Sequence, residues 1–356
     1  MRLTMNVRRV FRSLWVGLLA SSGCLGWVKR KLRANGAVVA LVFHRVLRDT
    51  EYLETYCQPE ILVRESTFRD LVAYLARDYE ASDLHEAVPG TPSKKLKVVL
   101  TFDDGWWDNY EVVLPIALAH GIPLTVFLCP QHVGKCMPFW PERVVALLRA
   151  SKPNPDLLEI DAQIESLKKQ APQKREQSLA RLEEELNQRG VHFKAVPVDR
   201  TLSWQEIAEM DRAGVRFGSH THSHEILTSV PVETARQEVE GSDAAIELAL
   251  GKPCTAFSYP NGNWSTTVRT VVAEAGFTLA VTAERQIWTA DSDRLAIPRS
   301  NIYEDDLVGL NGRFSPAMFE YVAILKPWLR SELKSRRQSA PLRESTPVAL
   351  EAGKHD

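Results

Sequence analysis

KVVLTFDDG occupies residues 97–105. The run Val98-Val99-Leu100 reads as a strand over Lys97–Phe102 that is buried on both faces, as in a parallel sheet. It ends on two adjacent carboxylates, Asp103 and Asp104, and then Gly105. Neighbouring carboxylates repel, so a metal, a proton or water has to offset the repulsion. Outward from this stretch the same rhythm recurs. Residues 37–43 form a second apolar run that stops at His44, and Leu124–Leu128 forms another. Between them, residues 67–75 place Phe68, Leu71, Val72 and Leu75 on one helical stripe, and residues 109–120 read as a helix closed by Gly121. Strand, helix, strand in this order predicts an α/β fold with parallel strands.

Residues 140–200 interrupt the rhythm. Ile160, Ile164 and Leu167 are helix-spaced, as are Leu179, Leu182 and Leu186, with Gly190 as C-terminal cap. The segment is charge-rich with narrow stripes, and is read as a helical insertion beside the main domain. The α/β pattern then resumes. Ser203 and Glu206 form a capping box that opens a helix. A strand around Val215 and Phe217 runs into Gly218-Ser219-His220. Helix Val232–Leu250, a strand at 255–259, a helix at 266–275 and a strand at 278–282 follow.

The bulk numbers narrow the class. The chain has 356 residues, 44% hydrophobic and 25% charged, with a net charge of −1. That fits a globular enzyme and gives no electrostatic case for nucleic acid as a partner. The five cysteines are scattered without a C-x-x-C, which argues against a zinc knuckle or a disulfide framework. Residues 1–36 combine basic residues with a short apolar run and read as an N-terminal helix. The run is too short for a membrane span, which takes about 20 apolar residues. A helix lying on the inner membrane surface makes the chain cytoplasmic and peripheral; a signal segment would make it exported. Residues 37–330 are read as the catalytic domain, and 331–356 as a disordered tail.

Three groups stand at the C-terminal ends of expected strands: His44, the pair Asp103/Asp104, and His220-Thr221-His222-Ser223-His224. Active sites of parallel α/β folds assemble at that end. His220 and His224, four apart, with one carboxylate make a His₂Asp set with open positions, the pattern of a catalytic zinc site; His222 is an alternative to either. The set is not an H-E-x-x-H motif, because Thr221 stands where the glutamate would be. If one aspartate holds the cation, the other stays ionised beside it as a base. Read separately, a helix-capping aspartate and a solvated histidine loop remain open.

In order, TFDDG at 101–105, HTHSH at 220–224 and FSYPNG at 257–262 resemble the polysaccharide deacetylase family, carbohydrate esterase family 4, over about residues 37–310. The resemblance implies a distorted (β/α) barrel of about seven parallel strands. It implies Asp103 as catalytic base, Asp104, His220 and His224 as ligands of a divalent metal, zinc by expectation, and the Asn261 backbone N–H as an oxyanion donor. Ser258 replaces the arginine usual in the third motif. The Asp-x-x-Asp-Trp motif has no match, and Ile297-Pro298-Arg299 stands where Leu-x-His would supply the general acid. A branch acting on exopolysaccharide takes its acid histidine from just after the first strand, and Val42-Phe43-His44-Arg45-Val46 is similar. His44 is therefore the expected acid, and Arg299 the expected partner of Asp103. Trp106, Trp107 and Trp264 flank the motifs and read either as sugar-stacking or as core residues. The activity implied is removal of N-acetyl groups from N-acetylhexosamine units of a glycan. The alternatives are a non-catalytic glycan-binding protein and a small-amide or O-acetyl hydrolase on the same barrel.

Overall fold

The computed structural model describes residues 2–137, 139–152, 156–192 and 196–338. Seven strands form one all-parallel curled sheet: β1 (Val38–Phe43), β2 (Lys97–Phe102), β3 (Leu124–Leu128), β4 (Arg216–Ser219), β5 (Ala256–Ser258), β6 (Leu279–Val281) and β7 (Ser300–Asn301). Their order is β7-β1-β2-β3-β4-β5-β6, with the short strand Glu80–Ala81 added to β2. The segment at 297–301 brings the sheet's two ends together. Ile297 bridges Val281 of β6, while Ser300 and Asn301 pair with Leu41 and Val42 of β1. The result is the distorted (β/α) barrel expected from the motifs.

Alternation along the strands decides what goes inside. Val39, Leu41 and Phe43 of β1 and Val98, Leu100 and Phe102 of β2 join the large outer core beneath the helices. Val38, Ala40, Val99, Phe127, Ala256, Val281 and Ile297 form a separate inner cluster. Side chains two apart share a face. Continuing the inner series past the strand ends reaches His44 from β1, Asp103 from β2, Ser258 at the end of β5 and Arg299 beyond Ile297. Register then sets their height. Phe43 pairs with Phe102, so His44 and Asp103 leave the sheet side by side. Ser219 pairs with Phe257, so His220 emerges next to Ser258.

The helices pack outside: α1 (Arg2–Ser21), α2 (Cys24–Ala34), α3 (Glu65–Asp78), α4 (Leu114–His120), α5 (Trp140–Ser151), α6 (Leu157–Lys168), α7 (Pro172–Gln188), α8 (Trp204–Arg212), α9 (Val232–Leu250), α10 (Thr266–Glu274), the short α11 (Glu304–Leu307) and α12 (Pro316–Glu320), and α13 (Lys326–Gln338). The expected stripe of α3 is fully buried. The Ser203/Glu206 capping box is present at α8. The helix read over 109–120 begins as a π turn, Asn109–Val113, before α4. The N-terminal segment is two helices rather than one, broken at Gly23, which sits at φ 76°. Helix α13 carries the chain to residue 338, so the stretch 331–338 is helical and not tail; residues 339–356 lie outside the described residues. Two short strands that were not expected, Arg45–Leu47 and Leu62–Arg64, pair beside the barrel.

Helices α5–α7 are the insertion. They have their own apolar cluster, with Val144, Val145 and Leu147 of α5 against Ile160, Ile164 and Leu167 of α6 and Leu179 and Leu186 of α7. Trp140, Glu142, Asp161 and Lys168 from α5 and α6 also roof a cleft at the C-terminal end of the strands.

Candidate active site

The two carboxylates that follow β2 point to different partners. Asp103 is 4% exposed and is gripped by a fork from Arg299, Nη1 to Oδ1 at 2.8 Å and Nη2 to Oδ2 at 2.7 Å. Ser258 Oγ donates to the same Oδ2 at 3.2 Å. Arg299 is itself fixed, donating to the Thr282 carbonyl at 3.0 Å, to Thr101 Oγ1 at 2.8 Å and to Ser258 Oγ at 2.9 Å. Burial alone would raise the Asp103 pKa. The guanidinium outweighs burial, with help from His220, and holds it below the usual carboxylate range. The residue missing from the third motif is thus supplied by the chain that closes the barrel.

Asp104 turns the other way. Its φ of 75° and that of Gly105, 68°, make two successive left-handed residues. A side chain at the φ of Gly105 is strained, which explains the glycine after the two acids, and a β-carbon there would also press on Leu128 Cδ2 at 2.7 Å. The turn aims Asp104 Oδ1 at two imidazoles, 3.3 Å from His224 Nε2 and 3.6 Å from His220 Nε2. Its other oxygen accepts from Trp106 Nε1 at 3.1 Å. His220 Nδ1 donates to the Ser258 carbonyl at 2.7 Å, which leaves Nε2 facing Asp104. Burial pulls His220 down to about 4, so it stays neutral, as a ligand must. His222 is not part of the group.

The residues fit a divalent cation. Asp104, His220 and His224 present ligand atoms within 4.8 Å of one another, and Asp104 Oδ1 is buried without a hydrogen-bond donor. Two imidazoles and a carboxylate suit zinc and similar ions. Non-glycine residues rarely adopt positive φ, yet four of the five that do so among the described residues are Asp104, Thr221, His224 and Asn261. Backbone strain is concentrated where the site is built.

These groups share a cleft of about 480 Å³. His44 and Asn261 line it with Asp103, Asp104, His220 and His224, so all seven residues singled out from the sequence meet in one place, Arg299 through its grip on Asp103. The His44 carbonyl is held by Asn109 Nδ2 at 3.1 Å, while its ring Nδ1 is buried without a partner. Asn261, at φ 57°, contacts Lys168 of α6 across the cleft, 3.4 Å from Nζ to Oδ1. None of the three tryptophans lines this cleft. Trp106 is fully buried, Trp107 lies under Arg200 at 4.6 Å, and Trp264 binds Glu284 at 2.9 Å. The aromatic residues that reach the cleft are Phe139 and Trp140.

Two features escaped the sequence reading. Glu142 of α5 lines the cleft at 4% exposure with Oε2 unpartnered, and burial raises its pKa to about 8. An acid in the first turn of a helix reads as an ordinary dipole partner, so nothing marked it. In metal-free protein, native Glu142 keeps a proton that the unfolded chain releases above its ordinary value of 4.5. Stability therefore falls as pH rises from there to about 8. Glu142→Gln is expected to remove that slope and gain about 3–5 kcal/mol over wild type at alkaline pH relative to acid pH, read by urea unfolding with chelator at both ends. Parallel pH profiles would contradict it.

The second feature is a buried ionic knot. Arg45, next to His44, is fully buried. Its Nε donates to Asp108 at 2.9 Å, its Nη1 reaches Asp199, Thr55 and Cys57, and its Nη2 donates to the Val198 carbonyl. The guanidinium lies 4.2 Å from the Trp106 ring, whose N–H holds Asp104. The knot thus supports the metal-side aspartate from below.

Residues 90–280, more than half of the chain, match the family described as polysaccharide deacetylase. The chain belongs to the polysaccharide deacetylase family. It is 19% identical over 211 residues to YxkH of Bacillus subtilis, a protein named for the same family; the match takes in 59% of this chain and spans about half (53%) of that protein. Among solved structures, the fold resembles Streptococcus pyogenes deacetylase PplD in complex with acetate, with TM-score 0.51 and 17% identity, covering 79% of this chain and 99% of that one. It also resembles IcaB from Ammonifex degensii, with TM-score 0.52 and 17% identity over 76% of this chain and 94% of that one. For this member of the polysaccharide deacetylase family the likenesses speak to the barrel, and the site chemistry rests on its own residues.

Proposed function

We propose that the chain is a metal-dependent hydrolase that removes N-acetyl groups from N-acetylhexosamine units of a glycan, of the exopolysaccharide type. The observation that carries this reading is the division of labour between adjacent acids. Asp103 is clamped in its ionised form by Arg299, while Asp104 converges with His220 and His224. Asp104, His220 and His224 would hold the ion, zinc in this reading. Bound there, it supplies Lewis-acid polarisation of the acetyl carbonyl and a water nucleophile near neutral pH.

The chain's own groups do the rest. Asp103 takes the proton from the attacking water, and the Arg299 fork keeps that carboxylate ionised and aimed. The Asn261 N–H donates to the tetrahedral oxyanion, a contribution of about 3–4 kcal/mol for one such donor. His44 delivers a proton to the departing amine nitrogen as the C–N bond breaks, giving acetate and an amino sugar. The insertion's roof, with Trp140, Asp161 and Lys168 over the cleft, positions the sugar.

The test is acetate release from N-acetylglucosamine oligomers of one to six units, with zinc or cobalt added and with chelator. Metal-dependent acetate from the longer oligomers supports the reading. Acetate from the monosaccharide alone would shift it to a small-amide hydrolase. Glycan binding without acetate at any length would shift it to a binding protein. His44→Ala is expected to keep its metal and lose turnover by about 10²–10⁴-fold. Wild-type turnover in that variant would remove His44 from the acid role.

A further inference from the structure

Helix α1 buries Val16 against the protein, and two of its arginines turn the same way: Arg9 donates to the Gly309 carbonyl at 3.1 Å, and Arg12 donates to the Asp305 carbonyl and lies 4.0 Å from Asp306. Its opposite face is apolar and exposed. Phe11 is 67% exposed, Leu14 55%, Trp15 56% and Leu18 66%. The four fall at i, i+3, i+4 and i+7, one continuous stripe of a helix. Scattered exposed apolar residues are ordinary, but four large ones in a row with their backs to the protein form a patch that needs a partner.

Charge selects the partner. Residues 1–36 contain eight Lys and Arg and no Asp or Glu. Part of this charge is answered inside the protein, as Arg9 and Arg12 turn inward, Arg33 donates to the Lys94 carbonyl, Lys29 pairs with Glu320 and Lys31 with Glu332, while Arg30 stays exposed. A second copy docked on the stripe would set like charge against like charge. An anionic lipid surface accepts both the stripe and the charge, the combination that holds helices in the plane of a membrane. No helix among the described residues is long and apolar enough to cross a bilayer, so the fit is along the surface and not through it.

We propose that the outer face of α1 is a membrane-docking surface that inserts Phe11, Leu14, Trp15 and Leu18 between the headgroups of anionic lipids. The proposal is independent of the catalytic reading, and either can fail without the other. The experiment is flotation of the full chain with phosphatidylcholine vesicles, with and without about one-third phosphatidylglycerol, at low and high salt. The expected result is co-flotation with the anionic vesicles, weakened at least about tenfold by removing phosphatidylglycerol or by the combined change Phe11→Ser, Leu14→Ser, Trp15→Ser and Leu18→Ser. These side chains point away from the core, so circular dichroism and Tm should not change; a second variant, Trp15→Ser alone, should give an intermediate loss. Flotation of the fourfold variant equal to wild type would overturn the proposal. So would a wild-type chain that ignores both vesicles and sediments as a dimer that the same changes dissociate.

Discussion

On the proposed reading, replacing Asp104 by alanine is expected to abolish metal binding and deacetylation together. The side chain is the sole carboxylate in the Asp104, His220, His224 set, and its Oδ1 faces both imidazoles. Without it, two neutral histidines are left to hold a doubly charged ion in a buried cleft. Loss of a bound Lewis acid removes several kcal/mol of transition-state stabilisation, so turnover should fall by about 10³–10⁵-fold. Metal content by elemental analysis should fall in the same variant. Asp103→Asn makes the contrast. It should lose comparable turnover and keep its metal, because Asp103 is held by Arg299 and Ser258 rather than by the histidines. A fully loaded Asp104→Ala protein would refute the assignment of ligand and base to these neighbours.

Arg45→Leu is expected to be the most damaging single change to stability. The guanidinium is the shared counter-charge of Asp108 and Asp199, and neither carboxylate has access to water. Removing one partner of a buried ion pair costs about 3–5 kcal/mol, mostly for the charge left behind. Burial already raises the Asp108 pKa even with Arg45 beside it. An aspartate whose folded pKa is raised favours the native state at low pH. The deficit in the variant should therefore shrink as the pH is lowered and Asp108 takes up a proton. Urea unfolding at neutral and acid pH reads both effects, and an unchanged midpoint would show that the knot contributes nothing. Because Trp106 rests on this guanidinium and donates to Asp104, metal affinity should weaken even where the variant remains folded.

The strands were legible because parallel strands buried on both faces must be apolar throughout, and the chemistry was legible because it follows directly on those runs. Arg299 was within reach by another route: the resemblance calls for an arginine beside Asp103, Ser258 stands in its usual place, and Arg299 is the arginine that the closing segment offers instead. Glu142 and the Arg45 knot were not legible. A buried acid and a solvated one look alike in a string of letters, and Asp199 meets Arg45 only because an insertion of three helices ends beside it. The tryptophans stayed undecided between sugar-stacking and core for a similar reason. Proximity to a motif along the chain places a residue near the site but does not say which way its ring faces. The tail failed at residues 331–338 because charge alone reads as solvated chain, whereas here Glu332 pairs with Lys31 of α2 and Ser331 Oγ accepts from the Ile287 N–H, continuing the helix that starts beside Trp27.

The segment that draws the two ends of the sheet together also carries Arg299, 196 positions after the acid it steadies. The three candidate ligands, Asp104, His220 and His224, by contrast, all lie within the first 224 residues. A chain still leaving the ribosome, or one clipped ahead of residue 297, could gather those ligands and yet hold its base without a counter-charge. In the proposed reaction, a chain that stops short of this segment would carry the ligand set but no clamped base, so closing the barrel and completing the catalytic pair are one event.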